Sequence, residues 1–239
     1  MYEISNWLNS FISEDFIRVT VQLWNGFGVT LSLFFLTLIL AIPLGLVIAF
    51  CTRSSFLPLK LPLRAFVYVI RGTPLLLQLM IVIYIPGIAF HAPITKWGMF
   101  GGDVAKAYFF GALFAFVINY ACYFSEIFRG GIENIPKGQY EACDVLGMTR
   151  LEAFFRVILL QVIRNILAPM SNEIITLVKD TALARTVAVT EILFCAYEFL
   201  KVDAIIWPLF YTGLFYLIFN AALTWLFGIA EKKLARYYK

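Results

Sequence analysis

The sequence predicts an all-α fold: a polytopic membrane helix bundle of about five transmembrane helices, with one short helix standing in the cytoplasm. Three observations lead there. The chain is 62% hydrophobic and only 14% charged, whereas soluble domains carry about 45–50% apolar and about 25% charged residues. Gly26–Thr52, Ala107–Ser125 and Ala204–Ala230 contain no Asp, Glu, Lys or Arg at all. Eleven of the 19 Lys and Arg residues fall in three connectors on one side of such a bundle.

A bilayer core roughly 30 Å thick needs about 20 apolar residues in helix. The first expected span, 26–52, meets that length without a charge. The second, 65–90, carries only Arg71, near one end. The third, 105–126, is again free of charge through its centre. The fourth, 158–179, is interrupted by Arg164, Asn165, Pro169, Asn172 and Glu173. An arginine at a helix centre costs about 2.5–3.5 kcal/mol, while each Leu, Ile or Val returns about 0.3–0.6. Insertion of that span is therefore balanced and relies on cover from neighbouring helices. Its membrane core is expected at 166–178, with a break or kink at Pro169, which lacks a backbone donor. The fifth span, 204–230, has Trp207 and Trp225 near its ends as interfacial anchors. Between the last two spans, Thr186–Leu200 sets Glu191 and Glu198 among apolar residues. It reads as a short amphipathic helix on the outer surface or as a plain loop. All of this forms one domain, 1–239.

Orientation follows from the cations. Arg53, Lys60 and Arg64, then Arg129, Lys137, Arg150 and Arg156, then Lys232, Lys233, Arg236 and Lys239 mark cytoplasmic segments. The amino-terminal arm (Glu3, Glu14, Asp15, Arg18), the loop after Phe90 and Thr181–Asp203 are poorer in Lys and Arg. Five spans with the amino terminus outside and the carboxyl terminus cytoplasmic satisfy every loop. The net charge of +4 then reflects topology and gives no case for nucleic acid. The first residues lack a basic run and include Glu3, so no cleavable leader is expected. Cys51, Cys122, Cys143 and Cys195 have no metal-ligand spacing and His91 is the single histidine. Neither a metal centre nor a disulfide framework is expected.

The segment 137–150 is the polar insertion. Gln139–Leu146 contains good helix formers, and Gly147 suits the left-handed residue that ends a helix. Tyr140, Cys143, Val145 and Leu146 give it apolar surface, and Glu141 and Asp144 place charge at i and i+3. Such a helix docks in a groove of a soluble protein or lies solvated as a cytoplasmic turn.

Glu141, Ala142 and Cys143, followed by Asp144 and then Gly147, resemble the EAA loop of ABC importer permeases. Three further stretches resemble the subfamily that imports polar amino acids such as glutamine, histidine, arginine and cystine. They are R-G-T-P-L-L-L-Q-L (Arg71–Leu79), E-I-F-R-G-G-I-E-N-I-P-K-G-Q (Glu126–Gln139) and L-V-K-D-T-A-L (Leu177–Leu183). The similarity runs from about 26 to 230. The resemblance implies the type I importer permease fold, with Gly138, Glu141, Ala142, Cys143, Asp144 and Gly147 coupling it to a cytoplasmic ATPase dimer. It also implies a second permease subunit, identical or homologous, an extracytoplasmic substrate-binding protein and a polar amino acid substrate, in the lipid of a bacterial inner membrane. No cofactor is implied. Cys143 replaces the usual second alanine, Leu160 stands where proline is common, and Ala182 where serine is frequent.

Arg71, Thr73, Gln78, Asn119, Asn172 and Glu173 are the candidate groups of a translocation pathway. A Gly-Thr-Pro break leaves unpaired backbone groups that can line a cavity, and an amino acid needs partners for its ammonium and its carboxylate. Interhelical hydrogen bonding accounts for Asn and Gln equally well, and Arg71 can snorkel to headgroups. Glu126 is placed to pair with Arg129 at i+3, and Lys179 and Asp180 to cap a helix end or close a gate near the outer face. No G-x-x-x-x-G-K-[ST] loop occurs, so energy must come from a partner and the chain is no enzyme. Two rivals fare worse: an ion-coupled secondary amino acid carrier or channel lacks a detectable inverted repeat, and a membrane enzyme lacks a catalytic constellation.

Overall fold

The computed structural model describes residues 16–97 and 101–236, and the described residues form helices and connecting turns without strands. Glu3, Glu14, Asp15 and Lys239 of the topology argument lie outside them. The helices are α1 (Phe16–Arg53), α2 (Leu57–Arg71), α3 (Leu75–Phe90), α4 (Val104–Glu133), α5 (Lys137–Val145), α6 (Arg150–Ala153), α7 (Leu159–Asp180), α8 (Ile192–Val202) and α9 (Trp207–Arg236). A π-helical turn, Phe154–Ile158, joins α6 to α7, and a 3-10 helix, Thr181–Val187, follows α7.

Among the described residues three helices are long and apolar enough to cross a membrane: α1, α4 and Trp207–Leu234 of α9. They carry the first, third and fifth expected spans. The second expected span, 65–90, is not one straight helix. It is broken after Arg71, and α2 and α3 are bent by 105°. Pro74 has no N–H to continue the ladder and pushes Thr73 out of helical geometry. The Thr73 hydroxyl donates to the carbonyls of Val69 and Ile70 at 3.0 and 3.3 Å, closing the orphaned end of α2. Counting this bent pair as one span gives four.

The fourth expected span exists as helix α7 but falls outside that apolar group, because Arg164, Asn165, Asn172 and Glu173 dilute it. Of the expected break or kink at Pro169, the break does not occur, since the helix continues through it from Leu159 to Asp180. A proline removes one ladder bond, and nearby Ser171 donates its hydroxyl to the Leu167 carbonyl at 2.7 Å.

The chain packs as two compact units. One takes in residues up to Leu36, Leu76–Ala115 and Leu177–Asn220. Its core sets Val19 and Leu23 of α1 against Ile192, Cys195, Ala196 and Phe199 of α8, with Phe27, Tyr211 and Phe215 around them. Between apolar helices in lipid, close van der Waals fit does the work that hydrophobic transfer does in water. The Phe27 and Phe215 rings lie 5.2 Å apart. At the edge, Arg18 pairs with Asp203 at 3.2 Å and covers the Phe199 ring.

Of the two readings of Thr186–Leu200, a helix forms rather than a plain loop: α8, whose apolar residues at 192, 195, 196 and 199 form a stripe packed against Val19 and Leu23 of α1, with Glu191 wholly buried at its start.

The other unit takes in Thr37–Leu75, Phe116–Thr176 and the chain from Ala221. Ile135, Ile158 and Val162 form a core with Ile132, Val157 and Ile166. Ile135 of this core precedes α5 by two residues, and Val162 and Ile166 belong to α7. Gly131 permits the close approach, since a Cβ there would overlap the Ile166 methyl group. Asn165 completes it by donating to the Gly131 carbonyl at 3.3 Å.

Candidate functional site

The polar insertion folds as expected, with its ends set by local chemistry. Pro136 precedes the first turn of α5, and Ile135 is buried as the anchor before it. At the other end Gly147 takes φ +67°. Its N–H donates to the Asp144 carbonyl at 3.0 Å, and the Met148 N–H reaches back to Cys143 at 3.1 Å. That pair of bonds satisfies the last carbonyls of the helix and stops it. Thr149 and Glu152 then start the next helix with a reciprocal capping box. The Thr149 amide on its carboxylate holds Glu152 below the usual carboxylate range.

Cys143 is the inward residue of α5, 3% exposed, whereas Val145 is 87% and Leu146 76% exposed. Gln161 on α7 donates to the Gln139 side chain at 3.0 Å and also to the Val157 carbonyl, tying α5 to the long helix. Gly138, Glu141, Ala142 and Asp144 are exposed on the same short helix. Five of the six coupling candidates thus lie on α5, four facing outward and Cys143 inward, with Gly147 just past its end, and Gln139 ties the helix to α7.

The pathway candidates are dispersed. Arg71 lies at the end of α2, with its guanidinium 3.7 Å from the Glu126 carboxylate and above the Tyr123 ring at 5.1 Å. The Tyr123 hydroxyl donates to the Arg71 carbonyl at 3.4 Å. Thr73 serves the helix end, as described. Gln78 on α3 and Asn119 on α4 are both buried. Asn172 is exposed on α7, its carbonyl accepting from Thr176 at 2.9 Å. Glu173 beside it is half-buried. Lys179 and Asp180 are the last two residues of α7.

Glu126 and Arg129 form the expected ion pair at 2.6 Å, and Arg129 also engages Glu133 at 2.5 Å. Sequence reasoning did not assemble the wider group. Arg64, Val67, Tyr68, Arg71, Glu126 and Arg129 line a cleft of about 280 Å³. The available signal was the E-x-x-R-x-x-x-E spacing, which puts 126, 129 and 133 on one face of a helix.

A helical membrane protein with long apolar helices, polar side chains among them, and a short projecting helix with an exposed apolar end has the makeup of a permease subunit. Residues 41–236 match the binding-protein-dependent transport system inner membrane component family, and the chain belongs to that family. The L-cystine transport system permease protein TcyB of Bacillus subtilis is 35% identical, over 89% of this chain and 86% of the relative. The histidine/lysine/arginine/ornithine transport system permease protein HisM of Escherichia coli is 30% identical over 90% of each. A solved amino acid ABC transporter, crystallised with histidines, matches with TM-score 0.79 and 30% identity, covering 91% of this chain and 96% of that one. The MetNI methionine ABC transporter shares the fold, with TM-score 0.67 at 16% identity. The chain is thus an inner membrane permease subunit that leaves ATP hydrolysis to a partner and works with a substrate-binding protein. The ion-coupled carrier has no support.

Proposed function

We propose that the chain forms half of the pore of an importer for polar amino acids, driven by ATP hydrolysed on the cytoplasmic side. The substrate class rests on the relatives, whose names specify cystine and the basic amino acids, and on the motifs at Arg71–Leu79 and Leu177–Leu183. A second permease, identical or homologous, completes the pore. The amino terminus lies outside and α5 in the cytoplasm, as the Lys and Arg distribution requires.

The observation that carries the reading is α5 itself. It is anchored by Cys143 and by the Gln139–Gln161 bond, and it ends in exposed Val145 and Leu146. An ATPase groove that covers those two side chains gains apolar burial and grips a helix attached to α7. Closure of the ATPase dimer on ATP then moves the helices as bodies and turns the cavity outward towards the binding protein, and hydrolysis resets it. Gln78, Asn119, Asn172 and Glu173 supply polar partners for the substrate, and Thr73 the break at which α3 begins. Arg71 belongs with the cleft at the end of α2.

The test is the complete transporter in proteoliposomes, with its binding protein and a panel of amino acids. ATPase activity should rise with one or a few polar amino acids. No stimulation by any of them overturns the substrate class. Leu146→Asp should abolish stimulation and release the ATPase from the purified complex, and undiminished stimulation in that variant overturns the coupling role.

A further inference from the structure

We infer that the cleft between α2 and α4 is a binding site for the phosphate group of an anionic phospholipid. The proposal concerns the membrane around the permease and does not depend on the amino acid reading above.

The charge balance comes first. Three guanidinium groups, those of Arg64, Arg71 and Arg129, line the cleft against one carboxylate, Glu126. Arg129 is fully engaged by Glu126 and Glu133. Arg71 reaches Glu126 only at 3.7 Å and leans on Tyr123. Arg64 has no ion pair among the described residues. The cleft therefore keeps an unbalanced positive charge in a space of about 280 Å³, and an anion with several acceptor oxygens is what neutralises it. A fork of N–H donors matches phosphate geometry.

The source of that phosphate follows from α2. Its 15 residues extend about 22 Å, short of a bilayer core of about 30 Å. Lys60, Arg64, Val67 and Arg71 recur at helix spacing on one face, which is the face of the cleft. Leu57, Leu61, Tyr68 and Val69 beside them are between 56% and 81% exposed. Basic residues along one stripe and exposed aliphatic and aromatic residues along the next describe a helix that lies in the headgroup region. Acyl chains cover the apolar stripe while the headgroup phosphate enters the cleft between the arginines. A free solute would leave those apolar side chains in water.

The experiment uses the purified full transporter, exchanged into nanodiscs of equal phosphatidylglycerol and phosphatidylcholine, with tightly held lipid measured by mass spectrometry after detergent extraction. Phosphatidylglycerol should be enriched about five-fold over phosphatidylcholine, the size expected for one basic residue at an anionic surface. Arg64→Gln should bring the ratio towards one, Lys60→Gln should lower it in part, and Lys96→Gln, in a different loop, should leave it unchanged. Arg64 and Lys96 are exposed and Lys60 is half-buried, so these polar replacements leave the fold in place. No enrichment in the wild type, as when a second subunit covers α2, overturns the proposal. So does enrichment that Arg64→Gln leaves intact. Excess inorganic phosphate separates the sources: displacement of the lipid by free phosphate at equal occupancy means that the site takes a soluble anion, and the lipid assignment fails.

Discussion

Glu191 shows what one side chain can do when its surroundings are dry. It is wholly buried, and its carboxylate accepts the Leu193 and Phe194 N–H groups at 2.8 and 2.6 Å, and the Tyr216 hydroxyl at 3.2 Å. Those bonds cap α8 at a point where the helix dipole favours a negative charge. Glu191→Ala should lower Tm by removing the cap, worth about 1 kcal/mol, whereas Glu191→Gln keeps an acceptor oxygen and should lose less; thermal unfolding of the purified variants checks this. The acid before an apolar run was visible as a helix start. Its burial was not, because nothing local reveals that α1 covers it.

At the scale of elements, two neighbouring glycines make a controlled comparison. A Cβ at Gly131 would collide with Ile166, while one at Gly130 would meet open space. Gly131→Ala should destabilise by about 1–3 kcal/mol through overpacking, and Gly130→Ala should be neutral or gain up to about 1 kcal/mol of helix propensity. Parallel thermal melts of the two variants check this. The uncharged runs at 26–52, 107–125 and 204–230 were legible as helices because length and apolarity alone require them. The end of the short helix α5 was legible to within one residue, because Gly147 has a local signature, while its start lies two residues earlier than the helix formers suggested. The break at Gly72–Pro74 was readable as a cavity-lining feature but not as the sharp bend that splits the second span. Helix α7 shows the limit from the other side, since Pro169 looks like a breaker until neighbouring turns absorb it. The residues proposed for coupling were singled out by pattern. The cleft around Glu126 was not, because Arg64 and Arg129 are far apart in sequence and meet only after α2 packs against α4.

For the whole molecule, α1, α4, α7 and α9 each contribute residues to both compact units. None of the apolar window of α9 is buried within the chain, so lipid or another subunit must clothe it. The proposed orientation has a direct check. Cys122, Cys143 and Cys195 are buried and Cys51 is half-buried, so a thiol placed at highly exposed Val145 should react first. In sealed right-side-out vesicles Val145→Cys should resist an impermeant maleimide, and in inverted vesicles it should be labelled. The reverse pattern would place α5 outside and remove its access to any ATPase. Gln139 and Gln161 add a property of their own. Their clasp joins two uncharged amides, which neither titrate nor attract counterions. Under the proposed coupling, mechanical continuity between α5 and the long helix behind it should therefore be indifferent to cytosolic salt and acidity, and the stroke should keep its length when the cell's ionic conditions drift.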